Sequence, residues 1–179
     1  MKKFKLKELL FIAILVATMY VIAYTLIPMM GMLPLPAYRA LLVAPIYGGG
    51  VILALNRTKR VSTVTVMGAL FGVMLSIFSV MMLFISFLAG ALTDLICGYL
   101  LRGYRSLNNR RIAAGLFPAA QIPMVFFVMA YFMGGTYKTL LGRPLLIILP
   151  TIVTFALGYG AAWALDKLTA KRKIREYNS

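Results

Sequence analysis

The chain offers little for acid–base or metal chemistry. It has no histidine, and its acids number four in 179 residues: Glu8, Asp94, Asp166 and Glu176. Three of them stand at the ends of apolar runs or in tails. A membrane enzyme needs acid and base groups or metal ligands at the membrane edge. The paired aspartates that would serve lipid or prenyl chemistry are missing. No Cys/His cluster can hold zinc. The single cysteine, Cys97, lies in an apolar run and has no internal disulfide partner. No GxxxxGK(S/T) loop is present, so that route to ATP hydrolysis is closed. The expectation is a chain without catalytic residues, metal or cofactor.

Asp94 is the exception worth weighing, because it sits well inside an apolar stretch. An ionisable residue at membrane depth is a functional hypothesis by default. It precedes Arg102 by eight residues, roughly 12 Å along a helix. A structural role, as the ion-pair partner of an arginine near the helix end or as a helix cap, stands beside a proton or cation relay and coupling to a partner subunit.

Groups suited to binding are better represented. Arg39, Lys138 and Arg143 have no neighbouring acid. Around them in sequence stand Tyr38, Tyr131 and Tyr137, with Met29, Met30, Met32 and Met133. Ser79, Met81, Met82, Phe84 and Ser86 belong to the same half of the chain's span pattern. An apolar, aromatic cavity with a few convergent polar groups is what a small-molecule site needs. Arginine's fork bonds two oxygens at once, which suits carboxylate or phosphate. Snorkelling to lipid headgroups is the competing reading for each cation. Gln121 lies between Pro118 and Pro123. It either satisfies carbonyls freed by the prolines or contacts a ligand. Ala13 and Ala17 are one helical turn apart and make a flat strip for close helix packing, within the protein or between subunits. Gly68-Ala-Leu-Phe-Gly72 and Gly158-Tyr-Gly-Ala-Ala162 have the same form and read mainly as internal packing.

The elements that position these residues are apolar helices. The chain is 62% hydrophobic and 13% charged, whereas soluble domains carry about a quarter charged residues. From Val61 to Leu101 the one charge is Asp94. That stretch holds two spans, since one takes about 20 residues. Six transmembrane helices are predicted in a single domain over 1–179, at about 8–30, 38–55, 61–77, 80–101, 112–133 and 145–166. The first run is too long for a signal-peptide core and reads as a retained helix. Gly48-Gly49-Gly50 weakens the second helix but lets another helix come close.

Charge sets the orientation. Sixteen of nineteen basic residues fall in four clusters: near Lys2–Lys7, at Arg57–Arg60, at Arg102–Arg111 and from Lys167 to Arg175. Cytoplasmic loops keep Lys and Arg, so both termini are expected in the cytoplasm. Arg39, Lys138 and Arg143 then face outward. The net charge of +15 flanks apolar spans, which argues for lipid contact rather than nucleic acid.

With these features in place, the chain resembles a substrate-binding S-component of an energy-coupling factor (ECF) transporter. The likeness covers its whole length: about 180 residues, six spans, both termini inside, and a basic Lys-Leu-Lys-Glu-Leu leading into the first helix. Ala13 and Ala17 fall where that family carries an AxxxA motif. Pro45-Ile-Tyr-Gly-Gly-Gly50, Asn56-Arg-Thr-Lys-Arg-Val-Ser62, Val66-Met-Gly68 and Leu88-Ala-Gly-Ala-Leu-Thr-Asp94 are similar to its MptA-like group. The resemblance implies a multi-pass subunit of a bacterial plasma membrane that docks through Ala13 and Ala17 on a scaffold subunit. It implies a pocket open to the outside, lidded by the connectors after the first and fifth helices. The loaded subunit topples to release its cargo, driven by two partner ATPases. Tyr38, Arg39, Met82, Gln121, Tyr131, Tyr137, Lys138 and Arg143 are placed at the pocket by topology. A vitamin, a vitamin precursor, a haem-like tetrapyrrole or a metal chelate would serve as substrate, with a lean toward a flat, partly apolar anion. The alternatives are an accessory membrane protein and a self-sufficient secondary transporter, for which one buried acid supplies little ion coupling.

Overall fold

A computed structural model describes residues 5–33 and 35–177, apart from the side chains of residues 36, 136 and 170–177. Lys2, Lys3 and the side chains of Lys171, Arg172, Lys173, Arg175 and Glu176 therefore lie outside the described set. Among the described residues there is no strand. Five helices among the described residues are long and apolar enough to cross a membrane.

Helix α1 spans Leu6–Tyr24, and a one-turn helix, α2, spans Ile27–Met30. The expected continuous helix over 8–30 is thus broken. Pro28 has no N–H and its ring crowds the carbonyl four residues back, so α1 stops at Tyr24. A single 3-10 turn, Pro36–Tyr38, leads into α3, Arg39–Thr58. Helix α3 ends at Lys59, which is left-handed at φ 51° and returns its N–H to the Leu55 carbonyl.

Helix α4 spans Thr63–Leu75 and has only 13 residues. At 1.5 Å per residue it is about 20 Å long, short of the ~30 Å hydrocarbon core. It occupies the place of the expected third span without spanning length. Helix α5, Val80–Thr93, continues without a break as a wider π-helical turn, Asp94–Leu100.

Helix α6 spans Leu107–Phe132, five residues ahead of its expected start. Ser106 accepts the Asn108 N–H and caps it, the ordinary task of serine at that position. Arg110 and Arg111 therefore belong to the helix and not to a loop. A short helix, α7, spans Gly135–Leu141 within the expected connector. Helix α8, Leu145–Tyr177, runs eleven residues beyond the expected end at 166.

Helices α3 and α6 form the centre and are largely buried, whereas α1 and α8 lie outside and are largely exposed. Glycines set the closest approaches. A Cβ on Gly48 would lie 2.4 Å from the Gly158 carbonyl oxygen, and one on Gly68 2.4 Å from that of Ser86. Gly50 accommodates the Met19 side chain of α1. The glycine triplet thus admits α8 on one side and α1 on the other.

Candidate functional site

The helices alternate in direction, so each contributes one end to either pole of the bundle. At the pole where α3 begins, a cavity of about 350 Å³ opens between α1, α3, α5 and the middle of α6. Tyr20 and Tyr24 line it from α1, four residues apart and hence on one helix face, with ring centroids 6.4 Å apart. Tyr47 lines it from α3 and packs its ring 4.7 Å from that of Phe71. Met82 and Ser86 line it from α5, and Gln121 from α6. Arg39, the first residue of α3, is exposed and is the one charged residue among those lining the cavity.

Gln121 is 8% exposed, and its Nε2 has no hydrogen-bond partner among the described residues. The carbonyls loosened by Pro118 and Pro123 do not take it up. A buried donor left unmet costs about 1–3 kcal/mol. The nitrogen is enclosed as well as unpartnered, so the amide is set into the cavity wall rather than presented to its interior.

Arg39, Met82 and Gln121 of the expected set meet at this cavity, with Met30 and Ser86. Tyr38, Tyr131, Tyr137, Lys138 and Arg143 are not among its lining residues. The Tyr38 hydroxyl donates to the Leu146 carbonyl at 3.2 Å and ties the start of α3 to α8. Tyr137 of α7 packs edge-on against Phe126 of α6. Tyr131, Lys138 and Arg143 are exposed. The connector after α6 folds into α7 and packs on α6, which carries Tyr137, Lys138 and Arg143 away from the cavity, while Tyr131 stands on an exposed face at the end of α6. Tyr20, Tyr24, Tyr47 and Phe78 line it without having been singled out in the sequence. The Tyr20/Tyr24 spacing was the available signal.

The opposite pole gathers the basic segments. Arg60 pairs with Glu8 at 3.2 Å, and the Arg57 guanidinium sits over the Phe11 ring. Asp166 of α8 accepts from Asn56 of α3 at 3.0 Å and pairs with Arg111 of α6 at 2.8 Å. Arg110 donates to the other end of the same Asn56 amide. One polar network thereby joins α3, α6 and α8.

Asp94 belongs to this pole but contacts no cation among the described residues. One carboxyl oxygen accepts the Thr65 N–H and the Thr65 hydroxyl, both at 2.6 Å. The other accepts the Tyr104 hydroxyl at 2.5 Å. Thr65 lies in the first turn of α4, so Asp94 caps that helix from a neighbouring one. Left-handed backbone at Arg102 and Gly103 folds Tyr104 back to reach it. The Asn109 side chain holds that turn by donating to the Leu101 and Gly103 carbonyls. Burial, then the adjacent Asp94 carboxyl, pushes the Tyr104 phenol well above its ordinary pKa, so it remains a donor.

Ala13 is exposed and Ala17 half-buried on a face of α1 that also exposes Leu10, Ile14 and Val21. No protein-family model, curated protein or solved structure matches the chain.

Proposed function

We propose that the chain is the substrate-binding subunit of an ECF-type importer in a bacterial plasma membrane. The observation that carries this reading is the aromatic-lined cavity with Arg39 at its mouth, at the pole away from the basic segments. Positive charge resists translocation, so the basic pole faces the cytoplasm and the cavity faces outward. Both termini are then cytoplasmic, and α4 completes a six-helix pattern as a short span. The apolar, weakly covered face of α1 around Ala13 and Ala17 supports docking on a scaffold subunit. ATP hydrolysis belongs to partner ATPases in this scheme, and the chain itself is non-catalytic.

Co-expression with a scaffold subunit and two ATPases tests the assignment. Ala13→Trp is expected to leave the isolated protein folded, because Ala13 is exposed, yet to abolish capture of the partners. Recovery of an intact complex with Ala13→Trp would refute the docking role. Orientation is read separately. A cysteine placed at Arg105, in a chain whose Cys97 is changed to serine, is expected to resist membrane-impermeant reagents in intact cells. Labelling from outside would invert the pole assignment.

A further inference from the structure

The basic pole holds a recess of its own. A cleft of about 770 Å³ lies between α3, α6 and α8, at the level where α3 ends and α6 begins. Its walls carry Arg57 and Lys59 from the end of α3, Arg110 and Arg111 from the start of α6, and Lys167 from α8. The one acid among the lining residues is Asp166, and it is committed to Arg111 and Asn56. The other four cations have no carboxylate partner among the described residues. Arg57 and Lys167 rest over the rings of Phe11 and Trp163, which soften a positive charge without cancelling it. Arg110 is 7% exposed, and both its partners among the described residues, the Asn56 amide oxygen and the Ser106 carbonyl, are neutral. A buried charge without a counter-charge is costly. Two bonds leave most of its guanidinium N–H groups over. Unlike the Gln121 nitrogen, no nitrogen of Arg110 is both enclosed and unpartnered among the described residues, so the spare donors are open to an incoming acceptor. An anion seated there would neutralise Arg110 and relieve the repulsion among five like charges.

The walls and their depth narrow the anion. Arginine and lysine on three sides suit phosphate oxygens, which accept from both. Leu53 and Leu107 stand among the cations, and Leu107 is exposed; a bare phosphate leaves that apolar edge unmatched. On the outer helix α8, Trp163 lies one turn before Lys167, and Leu168 follows it, both exposed. Tryptophan beside a basic residue at the end of a span belongs to the membrane–water boundary. A headgroup in the cleft can therefore keep its acyl chains in the bilayer. We propose that the cleft binds the phosphate headgroup of an anionic glycerophospholipid from the cytoplasmic leaflet, with Arg110 at its floor and Arg57, Lys59 and Lys167 around its rim. The bound lipid braces α8 against α3 and α6. Basic recesses between helices at the cytoplasmic side are suited to such headgroups.

Binding is read on the full chain, delipidated in mild nonionic detergent at neutral pH, by native mass spectrometry and thermal unfolding. Dioleoyl phosphatidylglycerol and tetraoleoyl cardiolipin are the anionic probes, and dioleoyl phosphatidylcholine is the zwitterionic control. The anionic lipids are expected to bind at least about tenfold more tightly than phosphatidylcholine. They should also raise the melting temperature, since a ligand of the folded state stabilises it. The triple variant Arg57→Gln, Lys59→Gln, Lys167→Gln changes only exposed side chains of the cleft and is expected to fold. Each basic side chain is worth about fivefold in affinity, so this variant should lose on the order of a hundredfold. Arg110→Gln should lose about tenfold. The control triple variant Lys5→Gln, Lys7→Gln, Arg105→Gln removes the same charge from exposed positions of the same pole outside the cleft. Screening over that distance should hold its loss below about threefold.

Equal binding of phosphatidylcholine and the anionic lipids would overturn the proposal. So would undiminished binding by the cleft variant, or an equal loss in the control variant, which would mean diffuse attraction to the whole pole. Sodium diphosphate that matches the lipids' effect on melting would assign the cleft to a soluble phosphate instead. A hexaglutamate peptide that displaces the lipids would assign it to an acidic protein segment. Either result overturns the lipid assignment. None of these outcomes depends on the import role, which capture of the scaffold and ATPases tests separately.

Discussion

Asp94→Ala is expected to cost on the order of 4 kcal/mol of stability, enough to remove most folded protein from detergent extracts. Three donors converge on this carboxyl group: the Thr65 N–H, the Thr65 hydroxyl and the Tyr104 hydroxyl. Tyr104 is enclosed and Thr65 half-buried, so alanine strands the phenol outright and returns the Thr65 donors to water only in part. Each stranded donor costs about 1–3 kcal/mol. Asp94→Asn should be milder, by about 1–2 kcal/mol. Its one oxygen serves Thr65, and the Tyr104 oxygen turns to accept from the new amide. Tyr104→Phe removes one bond and should cost a similar amount. Thermal unfolding of the three variants gives the order. Near-native stability for Asp94→Ala would show that the cap is dispensable. A stable Asp94→Asn protein that has lost uptake would restore a coupling role to the charge.

Gly48→Val is expected to be about as damaging, through sterics rather than polarity. The added Cβ would lie 2.4 Å from the Gly158 carbonyl oxygen and 2.8 Å from its Cα. Neither is a flexible side chain, so α3 and α8 must part. Overpacking of this kind costs about 1–3 kcal/mol and sometimes more. The separation would also disturb Gly158 against Ala114 and Gly115 of α6. Gly48→Ala should show a smaller loss of the same kind. Gly160 is the control, because nothing lies within 4 Å of a Cβ there. Gly160→Ala should be neutral or slightly stabilising, since alanine favours the helix by up to ~1 kcal/mol. A Gly48→Ala protein that melts with the parent would contradict this packing.

Helix existence and the two charge poles were legible because apolar runs and basic clusters are long-range, redundant patterns. Boundaries were missed where a local signal went unweighed: Pro28 inside the first run and Ser106 ahead of α6. The cavity was half legible. Arg39 and Gln121 stood out because polar groups in apolar surroundings are rare. Tyr20 and Tyr47 did not, because a tyrosine facing a cavity and one facing a core occur in the same sequence context. Tyr137, Lys138 and Arg143 were grouped with the cavity on chain order alone, and the fold of α7 takes them elsewhere. The Asp94 acceptor site joins positions 65, 94 and 104, and no local spacing reveals such a junction.

Tyr20 and Tyr24 place α1 on one wall of a cavity whose far wall is α6. Helix α1 has little of its surface committed to the rest of the bundle and rests mainly on α3 and α4. Any molecule lodged between the tyrosines and Gln121 bridges α1 and α6 directly and becomes mortar in that joint. Thermodynamic linkage then works in both directions. If filling the cavity firms α1, a surface that grips the firmed helix raises affinity inside the cavity. Ala13 lies on the outside of that same rod, so full and empty cavities would present different handles to whatever grasps it.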